Sequence, residues 1–426
     1  MPHTSIINLG DCRFASPLDH CAADGVLIPA EIEWRNGQPP VSPLLFEQAG
    51  PRKKLFFDPA KTRAGIVTCG GLCPGLNHVI RSLFLQLHHG YGVKEVLGFR
   101  DGYRGLDPAR GKEPIPLTAE IVEDIHKTGG TMLNTSRGPV DSAVAVDNLV
   151  RRGVDMLFTI GGDGTQRGGR ELFLEAQRRG HPLAVVGIPK TIDNDVAFVS
   201  RTFGYFTAVE QACTIIDRAH REAHSVENGI SIVKLMGRHS GFIATGATIA
   251  SQDVNFCLIP EVPFVLDGPT GLLAALKKRI LKRSHAVIVV AEGAGQELLS
   301  AGGATARDDS GNAKLADIGP FLRERIEAYF RAEKIPAVFR YMDPSYFIRS
   351  CAADSEDAIL CDLLARHAAH AGLAGKTGLV IGLINDRFVH VPIELLASQQ
   401  KRVDPDGPEW QAVLASTGQP ARFGGQ

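Results

Sequence analysis

The densest group of polar side chains in this sequence is at residues 189–195, which read PKTIDND. Two carboxylates, an amide and a hydroxyl lie within five positions, directly after the apolar run 183–188. Such groups are costly at the end of a buried strand unless they bind a metal ion, a phosphate or an attacking hydroxyl group. Phosphoryl transfer needs one carboxylate to accept a proton from the acceptor hydroxyl and another to anchor Mg²⁺. The segment therefore indicates chemistry of this kind.

Two glycine-rich loops could bind phosphate. Residues 68–77 read TCGGLCPGLN and residues 161–165 read GGDGT, each between an apolar strand and a helix. Adjacent glycines let backbone N–H groups approach an anion, and the following helix N-terminus adds a favourable dipole. Asp163 is placed to hold Mg²⁺ through its waters. A plain tight turn is the alternative for the first loop and an Asp-capped turn for the second, and GGDGT also occurs in kinases that act on sugars, lipids or nicotinamide dinucleotides.

The elements that position these loops follow an alternating pattern. From residue 64 short β-branched runs alternate with amphipathic stretches, the clearest of which predicts a helix over 206–224. This alternation predicts an α/β fold with mostly parallel sheets, and ligands at the loops beyond the carboxyl ends of the strands. The predicted strands are 64–68, 94–98, 156–160, 183–188, 230–235, 255–259, 286–291, 337–341 and 378–384.

Composition excludes several classes of protein. The 426 residues include 46 basic and 47 acidic side chains, so the charge does not favour nucleic acid as a partner. No apolar run approaches the roughly 18 residues that span a bilayer, which predicts no membrane partner. The eight cysteines are scattered, as in proteins of a reducing compartment, and we expect a cytoplasmic protein. Prolines interrupt residues 1–60, which we expect to form an extension that packs on another part of the protein, or a partly ordered tail.

Four motifs together resemble those of the 6-phosphofructokinase family: residues 70–77, 161–165, 191–195 and the MGR at 236–238. The resemblance runs from about residue 61 to about residue 400, in the family's order and at matching spacings. It implies two interleaved Rossmann-like α/β domains with mostly parallel sheets. The implied domains are a larger nucleotide-binding domain of residues 61–204 and 349–398, and a smaller sugar-phosphate-binding domain of residues 205–348 and 399–426, after an N-terminal extension of residues 1–60.

The resemblance also implies roles for individual residues. Asp193 resembles the base that takes the proton of the 1-hydroxyl of fructose 6-phosphate, and Asp163 resembles the Mg²⁺ anchor. The implied catalytic set is Asp193, Thr191, Arg238, Asp195 and Gly71. The implied nucleotide contacts are Gly71, Tyr103, Arg137, Gly162, Asp163, Gly164, Thr165 and Gln166. The implied sugar-phosphate contacts are Thr191, Asp193, Asp195, Met236, Gly237, Arg238, Glu292, Arg340, Tyr346 and Arg349.

Three positions bear on the phosphoryl donor and on assembly. Lys190 is typical of the pyrophosphate-type branch of the family, whereas Gly164 resembles the ATP-using members of that branch. The resemblance therefore implies an ATP-dependent enzyme of glycolysis, with the pyrophosphate-dependent enzyme as the alternative and a catalytically weak regulatory subunit as a third reading. Gly229 stands where short bacterial members have a phosphate-binding arginine that an adjacent subunit supplies. The family's contacts imply a homo-oligomer, either a dimer or a tetramer, with effector pockets at subunit contacts.

Overall fold

The computed structural model describes residues 4–34, 36–40, 44–299, 315–396 and 400–424. Backbone contacts divide the chain into two compact units, each formed from three segments. Unit 1 comprises Met1–Thr191, Val196–Gly204 and Ser350–Gln400, and unit 2 comprises Ile192–Asp195, Tyr205–Arg349 and Lys401–Gln426. None of the helices in the described ranges is long and apolar enough to cross a membrane.

The strands are β1 (Ile7–Asn8), β2 (Phe14–Ala15), β3 (Leu27–Pro29), β4 (Leu45–Gln48), β5 (Lys54–Leu55), β6 (Arg63–Thr68), β7 (Glu95–Phe99), β8 (Ile115–Pro116), β9 (Met156–Gly161), β10 (Ala184–Pro189), β11 (Gly229–Leu235), β12 (Phe256–Leu258), β13 (His285–Ala291), β14 (Val338–Met342), β15 (Lys376–Thr377), β16 (Leu379–Ile384) and β17 (Arg387–Pro392). The α-helices are α1 (Leu76–Leu85), α2 (Ala119–Val122), α3 (Ser142–Arg151), α4 (Asp163–Arg178), α5 (Tyr205–His224), α6 (Phe242–Ser251), α7 (Leu272–Arg283), α8 (Gln296–Leu299), α9 (Ile318–Ala332), α10 (Phe347–Ser350), α11 (Ser355–Leu373), α12 (Ile393–Leu396) and α13 (Pro408–Thr417). A π-helical turn at Gln86–Gly90 extends α1, and 3₁₀ turns lie at Gly102–Leu106 and Ile125–Lys127.

Unit 1 is built on a nine-stranded sheet in the order β3-β4-β17-β16-β10-β9-β6-β7-β8. Its five central strands, from β16 to β7, are parallel, and the strands at both edges are antiparallel. Every residue of β9, β10 and β16 is buried, as expected for parallel strands covered on both faces. Helices α4 and α11 pack against β10. The carboxyl ends of β6, β9 and β10 therefore lie side by side at one edge of this sheet.

Unit 2 is built on a four-stranded parallel sheet in the order β12-β13-β11-β14. Helix α5 packs against three of these strands, α9 against β11 and β14, and α7 against β13. The core includes Ile232 and Ile288 of the sheet, Leu276 of α7 and Phe330 of α9, all of them buried. This packing fixes the carboxyl ends of β11 and β13 next to each other.

The nine strands and the helix that the sequence predicts are confirmed, with each end within one residue of its predicted position. The α/β fold is likewise confirmed. The antiparallel strand β17 was not predicted; it follows β16 through Asn385 and Asp386, whose φ angles of 50° and 57° suit a two-residue type I′ hairpin turn.

The described part of residues 1–60 is not an isolated segment. It lies in unit 1, where β3 and β4 join the large sheet through β17, and β1 pairs with β15. These strands are two to four residues long, and β1 and β4 pair with strands that lie far away in sequence, so local patterning gives no signal for them. The predicted domain boundary at 398/399 lies outside the described residues. The assignment of the nucleotide and the sugar phosphate to the two domains stays a prediction.

Candidate active site

Three loops of unit 1 follow the carboxyl ends of the neighbouring strands β6, β9 and β10, and hydrogen bonds join them. The Cys69 amide donates to the Ile160 carbonyl at 2.9 Å, and the Lys190 amide donates to the Gly161 carbonyl at 3.1 Å. The Lys190 ammonium donates to the Gly71 carbonyl at 2.8 Å. Both glycine-rich loops and the start of the carboxylate-rich segment are thus held together.

Helix α4 begins directly after the second glycine-rich loop. Gly162 is the N-cap residue and Asp163 is the first helical residue, where a carboxylate interacts favourably with the helix dipole. Gly164 follows at an exposed position. Apart from its chain neighbours and the adjacent backbone of α4, a Cβ atom built on Gly164 would meet a single described heavy atom within 4 Å, the Arg167 Nη2 at 3.8 Å. The backbone at this turn is therefore open to a phosphate group.

The residues of this site fit Mg²⁺ bound together with a substrate. Among the described residues, no three His, Cys, Asp or Glu side chains are grouped closely enough to hold a metal ion by themselves. Mg²⁺ in nucleotide sites uses one or two carboxylates, substrate phosphate oxygens and several waters. Asp163, partly exposed at the end of β9, suits that requirement.

Two predicted nucleotide contacts are buried at the first turn of α4, Gln166 within the turn and Tyr103 against it. The Tyr103 hydroxyl donates to the Thr165 carbonyl at 2.5 Å, and its side chain is 5% exposed. The Gln166 amide donates to the carbonyls of Gly161 at 2.9 Å and Ile188 at 3.3 Å, and its side chain is 3% exposed. Their polar groups are engaged inside unit 1, so both residues position the loop that carries Asp163.

Arg137 lies on the segment next to the first glycine-rich loop. The Thr135 hydroxyl donates to the Gly70 carbonyl at 2.6 Å, and the Gly70 amide donates to the Ser136 carbonyl at 3.2 Å. The Arg137 side chain is exposed. Its guanidinium group is therefore accessible to a phosphate bound near this loop.

The carboxylate-rich segment passes from unit 1 to unit 2 between Thr191 and Ile192. In unit 1 the Thr191 carbonyl accepts a hydrogen bond from the Thr202 hydroxyl at 2.8 Å. In unit 2, Asn194 has a φ of 53°, a left-handed conformation that asparagine adopts more readily than most residues. The backbone thus reverses sharply among the predicted catalytic groups.

Within unit 2, separate parts of the chain hold the two aspartates of this segment. The Ser240 hydroxyl donates to the Asp193 carbonyl at 3.0 Å, and the Lys401 amide donates to the Asp195 carbonyl at 3.0 Å. The side chains of both aspartates are partly buried. The loop after β11 therefore holds the backbone of the predicted base, Asp193, and the C-terminal segment holds the backbone of Asp195.

Glu261 connects the loop after β11 with the C-terminal segment. One of its carboxylate oxygens accepts hydrogen bonds from the amides of Gly241 and Val403, each at 2.9 Å. Burial raises the pKa of Glu261, while these two N–H groups and its own backbone amide oppose that rise. Gly241 follows Ser240 and caps helix α6. Glu261 thus fixes the C-terminal segment beside the residue that holds Asp193.

The loops after β11 and β13 lie against each other. The Gly293 amide donates to the Gly237 carbonyl at 3.1 Å, which brings Glu292 next to residues 236–238. Gly237 has a φ of 126°, and a Cβ atom there would lie 2.5 Å from the Ser240 carbonyl oxygen. The close approach therefore requires glycine, and it brings Met236, Gly237 and Arg238 near Glu292.

Glu292 lies among charged side chains. Burial raises its pKa above the usual range for glutamate. The positive charges of Lys234, Arg238 and Arg349 oppose this shift, and the negative charge of Asp343 adds to it. Unit 2 therefore collects two predicted sugar-phosphate arginines around one partly buried carboxylate.

Arg349 and Tyr346 are neighbours, but Arg340 lies elsewhere. The Arg349 guanidinium group is 4.8 Å from the ring centroid of Tyr346, whose side chain is 73% exposed. Arg340 pairs with Ser231 in the β11–β14 register, four residues before the end of β11, which is about 13 Å along the strand. It forms an ion pair with Glu222 at 3.5 Å. The structure does not bring Arg340 to the edge of the sheet where Glu292 lies.

The structure also explains why the chain has Gly229 where short bacterial members of the family have an arginine. A Cβ atom at this first residue of β11 would lie 2.1 Å from the Ala223 carbonyl oxygen. An arginine cannot replace Gly229 unless the end of α5 moves. The local backbone therefore excludes the arginine of the short bacterial enzymes.

Sequence reasoning missed four residues that support the site: Lys234, Ser240, Glu261 and Asp343. For Lys234 a signal was present, because it is the single charged residue in the strand GISIVKL. A charge in a strand covered on both faces is costly unless it is paired. Ser240 and Glu261 act through backbone groups, and no sequence pattern indicates such contacts.

Comparison with known proteins gives the class to which the chain belongs. Residues 63–372 match the family model described as Phosphofructokinase. An ATP-dependent 6-phosphofructokinase of Amycolatopsis methanolica is 46% identical over 435 residues, covering 98% of this chain and 95% of its own length. One of Borreliella burgdorferi with the same description is 47% identical over 383 residues, covering 88% and 86%. The chain therefore belongs to the phosphofructokinase family.

Solved structures support the same fold. The crystal structure of a pyrophosphate-dependent phosphofructokinase from Marinobacter aquaeolei is similar to this chain with a TM-score of 0.69. The match covers 84% of this chain and 91% of that one, at 19% sequence identity. This likeness extends to the fold and does not bear on the choice of phosphoryl donor.

Proposed function

We propose that this protein is an ATP-dependent 6-phosphofructokinase, which transfers the γ-phosphoryl group of ATP to the 1-hydroxyl of fructose 6-phosphate. The observation that carries this proposal is the shared description of relatives that are 45–47% identical over most of the chain. The products are fructose 1,6-bisphosphate and ADP, and the reaction belongs to glycolysis.

The loops of unit 1 are proposed to bind the nucleotide. The two glycine-rich loops are held together by hydrogen bonds, and their backbone N–H groups and the N-terminus of α4 can bind phosphate groups. Arg137 is accessible to these phosphate groups. Tyr103 and Gln166 stabilise the second glycine-rich loop through hydrogen bonds to its backbone carbonyls. Asp163 would hold Mg²⁺ together with ATP oxygens and waters, and the bound ion would supply neutralisation of phosphate charge.

The loops of unit 2 are proposed to bind the sugar phosphate and to remove its proton. Asp193 takes the proton of the 1-hydroxyl as the C1 oxygen forms its bond to the γ-phosphorus and the bond from that phosphorus to ADP breaks. Arg238 stabilises the charge on the transferred group, together with Thr191 and the Gly71 amide. Glu292 contacts the sugar hydroxyls, and Arg349 contacts the 6-phosphate.

The choice of ATP over pyrophosphate depends on two neighbouring positions. ATP must pass its α-phosphate and ribose beyond the β-phosphate, and the open backbone at Gly164 favours that path. A carboxylate side chain there would repel the α-phosphate. Lys190 does not favour ATP, since an ammonium group can stabilise pyrophosphate as well as ATP. The Lys190 ammonium group donates a hydrogen bond to the Gly71 carbonyl. We therefore propose that Lys190 stabilises the first glycine-rich loop whichever phosphoryl donor binds.

We also propose a cytoplasmic location and a homo-oligomer, either a dimer or a tetramer. All eight cysteines are free thiols, which suits a reducing compartment. Arg340 lies about 13 Å along the strand from the end of β11, and we propose that it contacts the sugar phosphate bound to a second copy. The oligomer is therefore part of the proposed site.

One experiment tests the proposal directly. Purified protein is supplied with fructose 6-phosphate and Mg²⁺, and with ATP or pyrophosphate in parallel. Formation of fructose 1,6-bisphosphate with ATP and little or none with pyrophosphate is expected. Turnover with pyrophosphate and none with ATP would support the alternative donor, and binding of the sugar phosphate without turnover would support a regulatory subunit.

A further inference from the structure

Lys234 is a buried cation at the centre of the unit 2 sheet. It is the penultimate residue of β11, all of whose residues are buried, and β11 has β13 on one side and β14 on the other. Lys234 itself is 9% exposed. A lysine in such a position is retained only where paired carboxylates offset its desolvation.

Its ammonium group joins two elements. It lies 3.0 Å from a carboxylate oxygen of Asp317 and 2.8 Å from one of Asp343. Asp317 caps helix α9 by accepting a hydrogen bond from the Gly319 amide at 3.2 Å. Burial by itself would lower the pKa of Lys234, but the two carboxylates raise it above its usual range. The ammonium group is therefore charged at neutral pH.

Asp343 is the first residue of the loop that carries the sugar-phosphate residues. Its second carboxylate oxygen accepts hydrogen bonds from the amide and the hydroxyl of Ser345, at 3.2 Å and 2.5 Å. Tyr346 and Arg349 follow within six residues. Lys234 thus fixes one end of this loop to the sheet.

Lys234 also acts on the neighbouring loop through its charge. Among the described residues, the titratable groups that act on Glu292 include Lys234, Arg238, Asp343 and Arg349. Among the groups that oppose the effect of burial on its pKa, Lys234 contributes most. The same ammonium group therefore favours the ionised form of Glu292, which accepts hydrogen bonds from hydroxyl groups.

We propose that Lys234 is a positioning residue for the sugar phosphate, which holds the Asp343 end of the loop bearing Arg349 and supplies positive charge near Glu292. The inference rests on the proposed function, because it assigns the sugar phosphate to these loops. It predicts an effect on sugar-phosphate binding that is separate from nucleotide binding. It also predicts an effect on the pH dependence that a purely structural role would not produce.

The first test is Lys234→Met, which keeps the length of the side chain and removes its charge. The KM for fructose 6-phosphate is expected to rise about tenfold or more, because a charge-assisted contact that orders the loop is lost, while the KM for ATP changes little. With the positive charge gone, Glu292 is protonated at a higher pH. The acid limb of kcat/KM for the sugar phosphate should therefore shift to higher pH than in the wild type.

The second test is Asp343→Asn, which removes a negative charge near Glu292 and retains Lys234 with Asp317. The sugar KM should again rise, because the loop loses a charged anchor. The acid limb should now shift to lower pH, opposite to its shift in Lys234→Met. Both profiles are measured beside the wild type, so that titration of the sugar's own phosphate cancels.

A matched control is Lys277→Met, which removes a surface lysine of unit 2 from Glu333, 2.7 Å away. It should change neither KM nor the pH profile. Folding of Lys234→Met is expected because Asp317 and Asp343 are 51% and 37% exposed and can be hydrated. If Lys234→Met does not fold, the sugar KM and the acid limb of Asp343→Asn test the proposal by themselves.

The outcomes separate the two proposals. If the wild type does not phosphorylate fructose 6-phosphate, the proposed function fails. If the wild type is active and both variants keep its sugar KM and acid limb, Lys234 has no positioning role and the inference is overturned. Shifts of both acid limbs in the same direction would also overturn it.

Discussion

Gly164, the second residue of helix α4, offers a direct test of donor choice. Gly164→Asp should fold, because the added Cβ atom meets a single described atom, the Arg167 Nη2 at 3.8 Å, and a carboxylate suits the first turn of a helix. We expect loss of ATP-dependent turnover, since the carboxylate would repel the α-phosphate. The measurement is turnover with ATP and with pyrophosphate.

Gly164→Asn is the matched control, because it adds nearly the same volume without the charge. It should retain more ATP-dependent activity than Gly164→Asp. If Gly164→Asp used ATP as well as the wild type does, position 164 would have no part in the choice of donor.

Asp193 is the proposed base, and the structure supports its backbone from Ser240. Asp193→Ser should lower kcat by about 10²- to 10⁴-fold with little change in the KM for the sugar, because proton removal contributes roughly that factor. Steady-state kinetics with both substrates provide the measurement. Asp267→Ser, which removes a surface partner of Arg325, is the control, and full turnover by Asp193→Ser would exclude the assigned role.

Arg349 is the proposed partner of the 6-phosphate, and its guanidinium group now lies over the ring of Tyr346. Arg349→Ala should raise the KM for fructose 6-phosphate by about tenfold or more and leave the KM for ATP nearly unchanged, because a charge-assisted phosphate contact is lost. Kinetics with each substrate varied in turn measure this. A rise in the KM for ATP alone would assign this loop to the nucleotide.

The N-terminal strands are attached to unit 1 by a buried charge cluster. Glu47 of β4 lies 2.7 Å from the Lys376 ammonium group and 2.9 Å from the Arg52 guanidinium group. Burial by itself would raise the pKa of Glu47, but His390 and Lys376 lower it to about 2. Burial also lowers the pKa of His390, and the neighbouring Glu47 opposes that shift. This cluster joins strand β4 to β15 and β17.

The lowered pKa gives a pH dependence of stability with a definite sign. Because the carboxyl group of Glu47 is more acidic in the folded state, its contribution is complete above about pH 4.5 and declines as the pH falls towards about 2. Glu47→Gln should lower the free energy of unfolding by on the order of 2 kcal/mol at neutral pH. Its difference from wild type should shrink on acidification.

Urea unfolding followed by circular dichroism, at about pH 7 and about pH 3, measures this difference. Glu113→Gln is the control, because Glu113 is an exposed partner of Arg152. A difference between Glu47→Gln and wild type that stayed constant over this pH range would contradict the assigned role of the cluster.

The whole molecule is expected to assemble. Light scattering should give a mass two or four times the 45.8 kDa of one chain. If Arg340 acts on the site of a second copy, mixing Asp193→Ser with Arg340→Ala should restore part of the activity that each variant lacks, because some sites then combine both intact residues. An active monomer of 45.8 kDa would contradict the proposed oligomer.

The sequence by itself determined the α/β fold, the nine predicted strands and the loops at their ends. These features depend on local signals, because apolar β-branched runs, glycines and helix patterns act over a few neighbouring residues. The GGDGT loop opens helix α4 after β9, as predicted, and residues 189–195 follow β10. The family motifs are read from the same local stretches.

Only the tertiary structure decided which side chains meet. Lys234 and Asp317 are 83 residues apart in sequence, and the parallel register of β11 with β14 determines that Arg340 lies beside Ser231 and away from Glu292. Tyr103 and Gln166 are buried at the first turn of α4, and their burial cannot be read from the family motifs. Strand register and helix packing depend on distant partners, and these long-range choices determine the burial and electrostatics of each site residue.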